Sequence, residues 1–148
     1  MRPMNRHLLE LAPEEMKQRL RAIDHTVSQT LIALSIFPYR KGHSLIKDGV
    51  LYCMTRYASD LPADDLYRSV ALWHQCSPKA VESNIRSAIR AADNMGALVR
   101  LDRLLGVAVV NKSYPLSNLQ FISLLAQYCC DCAEPPLPEP GPPPGAGV

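Results

Sequence analysis

Ser77-Pro78-Lys79-Ala80-Val81-Glu82-Ser83-Asn84-Ile85-Arg86-Ser87-Ala88-Ile89-Arg90-Ala91-Ala92, closed by Gly96, reads as one sharply bounded helix with two unlike faces. Ser77 suits the N-cap, Pro78 the first helical position, and Gly96 a left-handed stop. Val81, Ile85, Ala88, Ile89 and Ala92 recur at helical spacing, which predicts a buried stripe. Lys79, Ser83, Arg86, Ser87 and Arg90 gather on the other side, three positive charges among short hydrogen-bonding side chains. Such a face is either a solvated surface or one that lies in a DNA major groove.

The segment before it decides how this helix is used. Pro62 precedes a helix over about Ala63 to His74, with Leu66, Val70 and Trp73 expected to point inward. The link Gln75-Cys76-Ser77 is short, so the two helices form a helix-turn-helix pattern, although the turn lacks the glycine such motifs often carry. Upstream, Pro13, Glu14 and Glu15 open a first helix, and Asp24 reads as the N-cap of a fresh one carrying Val27, Leu31 and Leu34. A turn at Phe37-Pro38-Tyr39-Arg40-Lys41-Gly42 leads into a helix with Ile46, Val50, Cys53 or Met54, and Tyr57 on its inner face. Downstream, Leu98, Leu101, Leu104 and Leu105 predict a short helix stopped by Gly106. Val107-Ala108-Val109-Val110 is the one plausible extended segment, and Ser117 with Gln120 forms a capping-box pair for a last helix. The expectation is an all-α bundle of about six helices containing a helix-turn-helix.

The chain's 148 residues suffice for one core. Seven of its 13 prolines lie between Pro135 and Pro144, so residues 134–148 are expected to be a disordered Pro/Gly-rich tail. Setting aside Glu134 and Glu139 leaves 16 basic against 12 acidic residues over residues 1–133, a balance of +4 that permits nucleic-acid binding without demanding it. The N-terminus leads into a charged helix rather than an apolar run, and the longest apolar stretch, Leu31–Phe37, is too short to span a bilayer. A cytoplasmic protein without membrane partners is therefore expected.

Chemistry-bearing patterns are sparse. Five cysteines do not suggest a disulfide framework, and Cys129-Cys130-Asp131-Cys132 lacks the second ligand pair that a tetrahedral metal site needs. His7, His25, His43 and His74 are scattered, and Asp64-Asp65 sits where carboxylates favour a helix start. No phosphate loop, nucleophile elbow or paired-histidine motif occurs. No catalytic residue, metal site or cofactor is expected, and the protein is not read as an enzyme.

Taken in order, these elements resemble the C-terminal DNA-binding domain of the stage-zero sporulation protein A family, the response regulators that commit endospore-forming bacteria to sporulation. The resemblance runs from about Asp24 to Tyr128. It rests on Asp24, Val27, Leu31 and Leu34; on Lys41-Gly42; on Leu66-Tyr67 with Val70-Ala71; on Val81-Glu82, Ile85-Arg86 and Ala88-Ile89; and on Leu104-Leu105-Gly106, Asn118 and Phe121-Ile122. Residues 1–23 are then expected to be a helical extension, and the resemblance implies a DNA-binding domain over 24–133, with the helix of about 78–95 as the recognition helix of a sequence-specific transcription regulator. The family's phosphoacceptor receiver has no counterpart in residues 1–23, so phosphorylation-driven dimerisation is not expected within this chain. Double-stranded DNA is the expected partner, with RNA polymerase and a homodimer on DNA as further partners the family implies.

The candidate DNA-binding residues are Lys79, Glu82, Ser83, Arg86, Ser87 and Arg90 on the recognition helix. Arg40, Lys41, Arg100, Arg103 and Lys112 are candidates for phosphates in the flanking turns and loops. Glu82 and Arg86 keep the family's residue types. Ala80 and Ser83 stand where the family typically has arginines, Ser87 where it often has histidine, and Arg90 where it has an acid. An arginine grips guanine bidentately, worth about 1–3 kcal/mol of discrimination, and serine reads bases far less selectively. The resemblance therefore implies the fold but not the operator. The alternative function is a protein-interaction module, or a competitor of a full-length regulator, that keeps the fold and has lost DNA binding.

Overall fold

The computed structural model describes residues 13–55, 63–111 and 113–133. Six helices occur among the described residues: α1 (Pro13–Ala33), α2 (Lys41–Thr55), α3 (Ala63–His74), α4 (Pro78–Asn94), α5 (Val99–Leu105) and α6 (Asn118–Ala133). No strand occurs among them, so the fold is all-α. Tyr57, Lys112 and the tail 134–148 lie outside the described residues, as do the side chains of Cys130 and Cys132.

The core forms where the apolar stripes meet. Val27 and Leu31 of α1, Ile46 and Val50 of α2, Leu66 and Val70 of α3, Val81 and Ile85 of α4, and Phe121, Ile122 and Leu125 of α6 are fully buried together. The central α2 packs on α1, α3, α4 and α6. Small residues let it come close. A Cβ on Gly42 would sit 2.5 Å from Ala88 Cβ and 2.7 Å from the Asn84 carbonyl oxygen, so the first turn of α2 rests directly on the backbone of α4. His43, next to Gly42, is buried and ties the same corner to α1. Its Nδ1 lies 2.8 Å from the Ile36 carbonyl, which can only accept, so Nδ1 carries a proton, and its Nε2 lies 3.1 Å from Ser28 Oγ.

Three helix ends share one device. At α1, α3 and α4 a left-handed residue follows the last turn: Ser35 (φ 63°), Gln75 (φ 53°) and Gly96 (φ 73°). After each, the backbone donates in the paired Schellman pattern. Ile36 N–H reaches Leu31 O (2.8 Å), Cys76 N–H reaches Ala71 O (3.0 Å), and Ala97 N–H reaches Ala92 O (2.9 Å). The helix-turn-helix turn thus contains the left-handed residue that glycine usually supplies, with Gln75 occupying it.

Three local expectations are corrected. Asp24 does not start a new helix: α1 runs unbroken from Pro13 to Ala33, and the Asp24 carboxylate pairs with Lys47 Nζ of α2 at 2.9 Å. The apolar stripe continues through Ile23 and Val27, and burial of that stripe outweighs the weak local preference of aspartate for a cap. Trp73 does not point inward. It is 56% exposed, with its ring edge-on to Tyr52 of α2 at 6.3 Å between centroids, and its neighbour Leu72 is 79% exposed. Val107–Val110 is not a strand: the N–H groups of Val109 and Val110 both donate to Asp102 Oδ1, at 2.7 and 3.0 Å, so the loop is pinned to α5.

Candidate nucleic-acid interface

The helix α4 is bounded as its sequence predicts. Ser77 Oγ accepts from Ala80 N–H at 3.1 Å, Pro78 occupies the first turn, and Gly96 N–H donates to Asp93 O at 2.9 Å. Val81, Ile85, Ala88, Ile89 and Ala92 are its buried residues. Lys79, Ser83, Arg86, Ser87 and Arg90 are all exposed, and Glu82 is half-buried beside them. Ser83, Arg86, Ser87 and Arg90 line one shallow groove along the helix, together with Asn94 one turn further on, which the basic-face pattern does not single out.

The inner face of α4 is anchored on three sides. Helix α2 touches it through Gly42, α3 packs along it before the tight turn, and α6 reaches it through Asn118. Asn118 is only 8% exposed, and its Nδ2 donates both to the Glu82 carbonyl (3.0 Å) and to Tyr67 Oη of α3 (3.2 Å). One amide therefore joins both helices of the helix-turn-helix to the start of α6. The Ser117–Gln120 capping box holds that start: Gln120 N–H donates to Ser117 Oγ (3.1 Å), and Ser117 N–H donates to Gln120 Oε1 (3.0 Å). Asn118 was legible only as a family match; its bonding depends on long-range packing that sequence spacing does not encode.

The basic side chains are not equally available. Arg86 Nη2 donates to Glu82 Oε1 in an i, i+4 pair on the outer face of α4. That pair sets a carboxylate's negative charge directly beside the guanidinium. Arg90 and Lys79 form no ion pair among the described residues. Lys41 is exposed at the first residue of α2, next to the point where Gly42 meets α4. Arg103 is exposed on α5. Arg100 is turned to another task, its Nη1 donating to Ala33 O at 2.9 Å and so satisfying a carbonyl at the end of α1. Arg40 is half-buried in the turn before α2.

Among the described residues no group of histidine, cysteine, aspartate and glutamate side chains could hold a metal ion. Nor is any of their helices long and apolar enough to cross a membrane. What the arrangement offers is a rigid helix with one polar, cationic face and a short link to a supporting helix, the geometry of a unit that docks on a charged duplex. No solved structure matches the chain. A family model described as "Sporulation initiation factor Spo0A C terminal" matches residues 27–129, a span that begins inside α1 and includes all of α2 to α5 and most of α6. The chain belongs to this Spo0A C-terminal family, which is a family of DNA-binding regulatory domains rather than of enzymes.

Proposed function

We propose that this chain is a sequence-specific regulator of transcription that binds double-stranded DNA through α3 and α4, with α4 lying in the major groove. The observation that carries the reading is the division of α4 between five buried residues, fixed by three neighbouring helices, and an exposed face of Lys79, Ser83, Arg86, Ser87 and Arg90. Arg86 takes the central role, held ready by Glu82 to contact a base edge. Glu82 itself is suited to accept from a cytosine amino group. Ser83 and Ser87 add hydrogen bonds, and Arg90 grips a base edge or phosphate. Lys41, Lys79, Arg103 and Lys112 contact phosphates, which set position and affinity rather than sequence. Arg100 joins them through the N–H groups it does not spend on α1.

Selection from a random duplex library tests the reading. Enrichment of one motif supports it, and a flat outcome overturns sequence specificity. On the enriched duplex, Arg86→Ala should cost about 1–3 kcal/mol, and affinity should fall steeply with salt as counterions are released. Unchanged affinity would remove Arg86 from the reading site.

A second reading, a protein-interaction module, is favoured by one observation: Leu72 and Trp73 form an exposed apolar pair at the end of α3. Failure to co-migrate with sheared genomic DNA even at low salt would favour it over DNA binding.

A further inference from the structure

Between the C-terminal half of α4 and the loop that follows α5 lies a cavity of about 260 Å³. Its walls are mostly apolar, from Ile89 and Leu98 on one side to Val110, Pro115 and Leu116 on the other. The loop wall is hydrogen-bonded at Val109, Val110 and Asn111. Asp102 accepts from the Val109 and Val110 N–H groups, and Asn111 Oδ1 accepts from Ser113 N–H at 2.8 Å. The buried Asn118 also lines the cavity. Arg86 and Arg90 both line it, and Asp93 is the single acid among its lining residues. Arg86 is shared with Glu82, which leaves Arg90 as the cation with no ion pair among the described residues.

A cavity with apolar walls and an arginine among its lining residues suits a ligand of two parts, an apolar body and one planar anionic head that a guanidinium turned onto it can grip by two parallel hydrogen bonds. We propose that this cavity binds a small carboxylate with a compact aliphatic body, the head on Arg90 and the body against Ile89, Leu98, Val110 and Leu116. Its volume lies near the small end of ligand pockets, which suits a body of one ring or one branched chain. Because Arg90 also belongs to the proposed DNA face, occupancy draws it away from a duplex. That consequence rests on the DNA reading, whereas the binding site does not.

The test uses the full chain with labelled isoleucine, leucine and valine methyl groups and no DNA. Cyclohexanecarboxylate, at concentrations up to about 10 mM as suits a ligand of this size, should shift the methyls of Ile89, Leu98, Val110 and Leu116 saturably. Cyclohexylmethanol, with the body but no charge, and inorganic phosphate, with charge but no body, should not. Arg90→Gln should weaken the carboxylate about 10-fold, in keeping with loss of a charge-assisted pair. Val110→Trp, which fills the cavity from a residue that has no assigned DNA contact, should abolish binding. The proposal is overturned if the carboxylate gives no saturable shifts, if the alcohol or phosphate matches it, or if Arg90→Gln binds as well as wild type. Should Val110→Trp fail to fold, Arg90→Gln, a change at an exposed position, still decides. A protein that binds the carboxylate but no duplex refutes the DNA reading and leaves this site standing.

Discussion

Replacing Gly42 by alanine tests how α2 seats the candidate recognition helix. Two effects oppose each other. Alanine in place of glycine inside a helix favours folding by up to about 1 kcal/mol, less in a first turn where Gly42 lies. Against this, the new methyl would stand 2.5 Å from Ala88 Cβ and 2.7 Å from the Asn84 carbonyl oxygen. Both obstacles belong to the backbone or lie one bond from it, so no rotamer change relieves them and α4 must move. Overpacking of this kind costs about 1–3 kcal/mol or more. The net expectation is a loss of about 1–2 kcal/mol, which for a chain of this size lowers Tm by roughly 3–10 °C. Urea unfolding followed by circular dichroism measures it, with Gly49→Ala as control. There the obstacle is Ile122 Cδ1 at 3.1 Å, the far end of a flexible side chain, and the change should be close to neutral. Adding Ala88→Gly to Gly42→Ala removes the closer clash and should cost less than the two single changes summed. A Gly42→Ala protein as stable as wild type would refute the direct seating of α2 on α4.

Gln75→Gly should stabilise the protein by about 1 kcal/mol, since Gln75 holds φ at 53° and glycine takes that conformation without strain; an unchanged urea midpoint would contradict it. Asn118→Leu should cost about 1–3 kcal/mol, because the Glu82 carbonyl and Tyr67 hydroxyl lose their shared donor, and equilibrium unfolding of the purified variant checks this. Burial pushes the Cys53 thiol up to about 11 from 9.0. The folded state therefore keeps a proton that the unfolded chain gives up, and Cys53 contributes stability below pH 9 that is lost as pH rises through 11. Measured against Cys53→Ala, the wild-type advantage should shrink across that window. In residue-resolved alkylation at pH 8, the exposed Cys76 should react well before the half-buried Cys53 with its raised pKa; the reverse order would contradict the partial burial of Cys53.

Where a feature depended on neighbours in the chain, the residues announced it. Ser77, Pro78 and Gly96 bound α4 because capping is decided within one turn, and the Ser117–Gln120 box formed for the same reason. The buried stripe of α4 followed from helical spacing. Features that depend on tertiary neighbours were not legible. Asp24 has the residue type of a cap, but its partner Lys47 comes from another helix. Trp73 follows the spacing of Leu66 and Val70, yet in the last turn of α3 only Ala71 stays in the core, while Leu72 and Trp73 emerge into solvent. Arg100 looked like a surface cation available to phosphate, and only the fold brings it to Ala33 O, 67 residues earlier. Gln75 shows the same limit from the other side: a left-handed residue was needed, and the Schellman bonds impose it on a glutamine.

The pattern of family likeness within α4 now has a physical basis. The positions that match as apolar residues, Val81, Ile85, Ala88 and Ile89, are all buried in the core, and Ala88 lies against Gly42 of α2. Those that depart, Ser83, Ser87 and Arg90, are exposed, and Ala80 is half-buried near the N-terminal end. Packing constrains the first group and is indifferent to the second. The matching pair on the outer face, Glu82 and Arg86, is the one joined by an ion pair, so changing either strands the other's charge. The inner face can therefore preserve a DNA-binding scaffold while the outer face drifts to another base sequence. It follows that the fold of a relative predicts how α4 is held, whereas under the proposed function the preferred duplex is set by the exposed Ser83, Arg86, Ser87 and Arg90 themselves.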